Sequence, residues 1–143
     1  MENSLNKYLS DLVVEYHKLQ NFHWYVKGKD FFTAHEKLEE LYDYINETID
    51  EVGELILMID GKPKASLEDF LKLSSIKEAP AQHIASKDIY KEVLNDFEHL
   101  LKTSKEIKRD AEVKELDVVA IQMDDYIKEF TKSIWMIKQV VEA

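Results

Sequence analysis

Cysteine is absent from the 143 residues, which excludes disulfides and thiolate metal sites. Imidazole nitrogen and carboxylate oxygen remain as the side-chain ligands for any metal, so a site must be hard or borderline. Proline occurs twice and glycine three times, a scarcity of turn residues that points to long helices. Arg109 is the single arginine and the formal net charge is −10. Both facts oppose unaided binding to nucleic acid, where lysine and arginine must neutralise phosphates and arginine most often reads guanine. No apolar run approaches the roughly 18 to 20 residues that span a bilayer, and no apolar signal segment precedes the first amphipathic pattern. Membrane insertion is therefore excluded and a cytoplasmic protein is expected. What is present is globular in kind, 45% apolar and 34% charged, and the length suits one domain over residues 1–143.

Apolar residues at Leu5, Tyr8, Leu9, Leu12, Val13, Tyr16, Leu19, Phe22 and Val26 recur every three or four positions and predict a helix from about Ser4 to Lys27, ended by Gly28. Asp30 suits the N-cap of a second helix whose stripe runs from Ala34 to Ile59 and closes at Gly61 and Pro63. Ser66 opens a short apolar segment, Leu67 to Leu73, inside an irregular connection that contains Pro80. Ser86 is placed to cap a third helix, and a fourth opens near Asp117 and runs almost to the end of the chain. Helices of about 24 to 30 residues are roughly 36 to 45 Å long and can lie side by side. Short turns make the first and second helices, and the third and fourth, antiparallel neighbours. The middle connection, about 25 residues, is long enough to travel the length of the bundle. The predicted fold is therefore all-α: a ferritin-like four-helix bundle with one long crossover containing a short helix.

In-bundle di-metal sites of that architecture use Glu-x-x-His pairs on two helices, and the chain has none. Asp96 and His99 form the nearest pair and read as two solvated polar residues. The second helix is more suggestive, because His35, Glu39, Asp43, Asn46, Asp50 and Glu54 recur at helical spacing beside its apolar stripe. An ordinary solvated face would look the same. His23, however, sits in the first helix's apolar stripe one turn before that helix ends, so the antiparallel turn brings it near His35 at one end of the bundle. A buried histidine satisfied by a hydrogen bond is the alternative there. Asp50 and Glu54 make a carboxylate pair, but they lie 15 and 19 residues beyond His35, roughly 22 to 28 Å along the helix at 1.5 Å per residue. That is too far for one metal site within one chain. A two-fold axis crossing the second helix near Asp43 and Tyr44 would bring the histidine end of one copy to the carboxylate end of the other.

The segment HWYVKGKDFFTAHEKLEELYD, from His23 to Asp43, followed by DEVGE from Asp50 to Glu54, resembles the Dps family, the dodecameric mini-ferritins named for DNA protection in starved cells. The likeness extends over nearly the whole chain, through the EAP of Glu78 to Pro80 and the IWMIK of Ile134 to Lys138, and is weakest from Ala81 to Glu115. The resemblance implies a two-iron ferroxidase centre between two-fold-related subunits, with His23 and His35 from one chain and Asp50 and Glu54 from the other. Glu39 stands where the family has an acidic residue that helps hold the second iron, and Trp24 where it has a tryptophan beside the site. The function so implied is oxidation of Fe(II), preferentially by hydrogen peroxide, with ferric iron stored inside a hollow homo-dodecamer. The resulting protection from oxidative stress would make the protein both ferroxidase and container.

Departures from the family pattern carry their own expectations. Leu55 replaces an arginine and Gly53 a small helix-favouring residue, which should alter interface ion pairing. At the acidic iron entrance Glu112 and Asp117 match, whereas Ile121 stands in place of a carboxylate, so iron entry should slow. A lysine-rich N-terminal tail is missing before the first helix, and no direct DNA binding is expected. A different class of function also fits: a structural helical shell or interaction module whose site is inactive or occupied by zinc.

Overall fold

The long helices form because each carries an apolar stripe that another helix covers. The computed structural model describes residues 1–143. Its elements are α1 (Glu2–Tyr25), β1 (Val26–Lys27), α2 (Phe31–Met58), α3 (Leu67–Leu73), β2 (Ile84–Ala85), α4 (Ser86–Val113) and α5 (Asp117–Val141). Helix α1 packs along α2, α4 packs along α5, and α1 also touches α3 and α4. The arrangement is a ferritin-like four-helix bundle with a long crossover between α2 and α4 that holds the short helix α3. No helix is long and apolar enough to cross a membrane.

The core runs the length of the bundle, with Tyr8, Phe22, Leu38, Ile45, Phe97 and Phe130 among its buried side chains. Tyr8 spans it: its hydroxyl lies 2.7 Å from Ser104 Oγ on α4, and its ring stacks on Tyr126 of α5 at 6.2 Å. Burial pushes the Tyr8 phenol far above its ordinary range, so it remains a neutral hydrogen-bonding group.

Two asparagines of α1 fasten the crossover at its two ends. Asn6 Nδ2 donates to the Lys62 carbonyl at 3.1 Å while its Oδ1 accepts from the Lys64 amide at 2.7 Å. Fifteen residues along the same helix, roughly 22 Å away, Asn21 Nδ2 donates to the Ala79 carbonyl at 2.9 Å. Between them lies Asp11, fully buried, whose Oδ1 accepts from the Ser75 amide at 2.7 Å and from Ser74 Oγ at 2.9 Å. Its Oδ2 accepts from His99 Nε2 of α4 at 2.9 Å. The crossover therefore lies along α1, held by side chains that satisfy backbone groups no strand or helix would satisfy.

Several element ends differ from the sequence reading. The first helix stops at Tyr25 rather than about Lys27, because Val26 and Lys27 pair in parallel with Ile84 and Ala85. Asp30 does occupy the N-cap of α2, but its side chain does not cap. The carboxylate accepts instead from Ser86 Oγ at 2.5 Å. Ser86 is correspondingly the first residue of α4, with Ala85 at its N-cap, and joins the starts of two helices. At the end of α2 the left-handed position is taken by Asp60 (φ 62°), not by Gly61. The amides of Asp60 and Gly61 return to the carbonyls of Leu57 (3.0 Å) and Ile56 (2.8 Å), which closes the helix in a Schellman motif. Gly61 is needed for closeness instead, since a Cβ there would lie 2.8 Å from Glu2 Oε1 and 3.0 Å from Ile56 Cγ2. The turn between α4 and α5 repeats the device with Glu115 (φ 57°).

Candidate metal centre

The turn between α1 and α2 brings His23 and His35 into face-to-face contact, ring centroids 3.7 Å apart and planes within 13°. Each ring is fixed by the other residue's backbone. His23 Nδ1–H donates to the His35 carbonyl at 2.6 Å, and His35 Nδ1–H donates to the His23 carbonyl at 2.7 Å. A carbonyl only accepts, so both imidazoles must carry a proton on Nδ1. In the neutral rings both Nε2 atoms are then lone-pair donors held in a fixed direction. Phe31 stacks on the other face of His35 at 4.9 Å, and Tyr42 meets His23 edge-on at 5.4 Å, so the rings have little freedom to turn.

Glu39 lies one turn beyond His35 on α2, and its Oε1 is 3.5 Å from His23 Nε2. A lone pair facing a carboxylate oxygen is repulsive unless a cation, proton or metal, stands between them. Tyr42 beside them has its phenol raised by burial and then by the charges of Glu39 and Asp43, so it stays protonated near neutral pH.

Asp50 and Glu54 are exposed on the same side of α2, far along the helix from the histidines. No cluster of three or more metal-ligating side chains forms within one chain. The structure thus brings His35 and Glu39 each against His23, without closing the three into one metal-ready cluster, and leaves Asp50 and Glu54 apart from them. Trp24, next to His23, is 63% exposed, and Phe32 at the start of α2 is 83% exposed.

Of the other positions singled out by sequence, Asp96 is placed differently from expectation. Asp96 is not solvated, being buried with Lys18 Nζ 2.9 Å from its Oδ2, and His99, partly exposed, bonds the buried Asp11. The reason is that α1 buries a second face, Asp11, Glu15, Lys18 and Phe22, against α4. The four-three-four spacing of those residues was the available signal, concealed by their polarity. Leu55 is fully buried in the core, so its side chain contributes packing within the bundle and does not reach a surface where an ion pair could form. Around Gly53 there is open space for a Cβ. Glu112 and Asp117 are exposed near the α4–α5 turn, as is Ile121 on α5.

A ferritin-like domain matches residues 2–143. The chain is 38% identical over 129 residues to a DNA protection during starvation protein of Helicobacter pylori, which covers 90% of each chain. Among solved structures it is similar to Helicobacter cinaedi CAIP, with a TM-score of 0.95 and 36% identity over 98% of both chains. It is also similar to a Vibrio cholerae Dps protein described as a member of a broad superfamily of ferritin-like diiron-carboxylate proteins. There the TM-score is 0.93 and the identity 32%, over 96% of this chain and 86% of that one.

Proposed function

The chain belongs to the Dps family of ferritin-like proteins, and from that premise we propose that it is a mini-ferritin: a ferroxidase that oxidises Fe(II), preferentially with hydrogen peroxide, and stores the ferric product in a hollow dodecamer. The observation that carries this reading is the stacked histidine pair, whose Nδ1 protons are committed to backbone carbonyls while both Nε2 lone pairs are left for a metal. Glu39 supplies a hard oxygen beside one of them. Each site is completed by Asp50 and Glu54 of a two-fold-related subunit, since within one chain these lie too far away and remain exposed.

Iron is the substrate. Imidazole holds Fe(II), and carboxylate oxygens favour the harder Fe(III), so the mixed ligand set promotes oxidation in place. Two Fe(II), one hydrogen peroxide and two protons give two Fe(III) and two waters. Drawing both electrons at one site consumes peroxide without releasing hydroxyl radical, which is the protection the protein would afford. The pre-set tautomers mean that no ring has to turn when iron arrives.

Stopped-flow absorbance tests the reading. Fe(II) mixed with the protein and then with peroxide should oxidise much faster than Fe(II) alone, with two irons consumed per peroxide. The same experiment after zinc addition should be slow, because zinc has no accessible redox step and takes the same nitrogen and oxygen ligands. A rate indistinguishable from iron in buffer would leave the structural shell, with an inactive or zinc-filled site, as the better reading.

Direct DNA binding is not expected despite the relatives' name. Twelve subunits at −10 each carry about −120, and counterion release offers little gain to so acidic a surface. The cationic group at Lys102, Lys105 and Arg109 shares its cleft with Glu98 and Glu106. A gel-shift titration at about 50 mM salt, near neutral pH and without divalent metal, should show no saturable shift at submicromolar shell, in a salt range where nonspecific binders respond strongly.

A further inference from the structure

Glu15 has no part in the proposed iron chemistry, yet it is fully buried in the middle of α1 and neither carboxyl oxygen has a hydrogen-bond partner. An ionised carboxylate in that position would be very costly. Its neighbour across the seam is Asp96 of α4, buried too, whose Oδ2 also lacks an aligned hydrogen-bond donor although Lys18 Nζ lies 2.9 Å away. Lys18 is shared, since its Nζ is also 3.4 Å from Glu92 Oε1. One ammonium therefore faces three carboxyl groups. Glu92 is half exposed and its charge is solvated, so a proton on one of the two buried carboxyls leaves the buried group balanced as one ammonium and one carboxylate.

We propose that Glu15 is held as a neutral carboxylic acid whose O–H donates to Asp96 Oδ2, a one-proton latch that closes the α1–α4 seam and is released as the pH rises. This assignment gives Asp96 Oδ2 and one of the two Glu15 oxygens a partner, removes the charge from the other, and leaves Lys18 paired with the remaining charge of Asp96. The ionisable groups acting on Glu15 are Lys18 from its own helix and Asp96 and Glu92 from α4. Burial is the largest influence and pushes the Glu15 carboxyl well above the usual carboxylate range. The charge and hydrogen-bond contact of Asp96 push the same way, Lys18 opposes, and Glu92 adds to the rise. On ionisation the proton leaves to solvent through the open cleft of about 840 Å³ that Lys18, Glu92 and Asp96 line.

The sign of the pH effect follows. The folded chain holds a proton that the unfolded chain has already lost, so stability falls as pH rises from the ordinary glutamate range up to the folded-state value, then levels off. Glu15→Gln keeps shape and a donor but cannot ionise. Against that variant, the wild-type unfolding equilibrium should shift toward unfolding by about tenfold per pH unit across that window.

Infrared spectroscopy of the wild-type protein at pH 7 should show the carbonyl stretch of an undissociated carboxylic acid. Carbon-13 labelling of glutamate should shift that band, and it should be gone from Glu15→Gln. Chemical denaturation of the two proteins at pH 5, 7 and 9 should show a widening difference in favour of the variant. Absence of an isotope-shifted acid band in the wild type, or denaturation curves that run parallel with pH, would overturn the proposal. The labelled wild-type spectrum stands alone should the variant fail to assemble.

Discussion

Replacing His23 and His35 together by alanine is expected to slow rapid Fe(II) oxidation by at least about 100-fold, since even outer-sphere partners of metal ligands are worth roughly 10- to 100-fold. The same substitution has a structural cost that spacing alone would not suggest. Each imidazole is the hydrogen-bond donor to the other residue's carbonyl, so the double variant removes a donor from two carbonyls at the α1–α2 turn. A buried group left without its partner costs about 1 to 3 kcal/mol. His23 is buried and His35 half-buried, so the larger share falls on the single variant that removes His35, whose donor reaches the carbonyl of buried His23 near the end of α1. The measurement is an initial rate by stopped flow, read beside circular dichroism and light scattering of the same sample. A double variant that assembles and keeps the wild-type rate would remove the histidine pair from the mechanism.

The second large effect is one of recovery. Asp50→Ala with Glu54→Ala should abolish fast oxidation as the histidine variant does, although Asp50 and Glu54 make no hydrogen bond in the isolated chain and their loss should leave its stability unchanged within error. If each site is split across a two-fold axis, subunits of the histidine variant and of the carboxylate variant can complement each other. In random equal mixing half of the dimers are mixed. Each mixed dimer has one site with both halves intact and one with both halves broken. About one quarter of the wild-type number of sites should therefore return. Mixing is verified by native mass spectrometry of isotope-labelled subunits. No recovery in verified mixed shells would place every site within a single chain, a result at odds with the separation of the two ligand groups along α2.

The helical framework was legible because its signal is repetitive. An apolar residue at every third or fourth position over seven turns leaves little freedom in assigning α1, α2 or α5, and the two short turns against one long connection constrain the order of helices. The meeting of His23 with His35 was legible for the same reason, since both lie within about a turn of a tight antiparallel corner. The separation of Asp50 and Glu54 from them required only the helical rise per residue.

Contacts between residues distant in sequence were not legible. Nothing local announces that Asn6 and Asn21 fasten opposite ends of the crossover, or that Asp11 bonds Ser74, Ser75 and His99 together, because each partner lies more than fifty positions away. The polar residues of α1 at Asp11, Glu15 and Lys18 carry no apolar signal, and only the packing of α4 makes that face an interior. Helix ends were decided late as well. Asp60 rather than Gly61 holds the left-handed turn, and Val26 leaves its helix to pair with Ile84, because carbonyls and amides at the ends take whichever partner the packed chain brings within reach. The sequence by itself determined the helices, their order and the corner where two imidazoles meet, since these depend on periodicity and rise. The direction of each imidazole lone pair and the charge state enforced on a buried carboxyl were decided only by the tertiary structure, since both depend on which atoms exclude water and which remain to accept a proton.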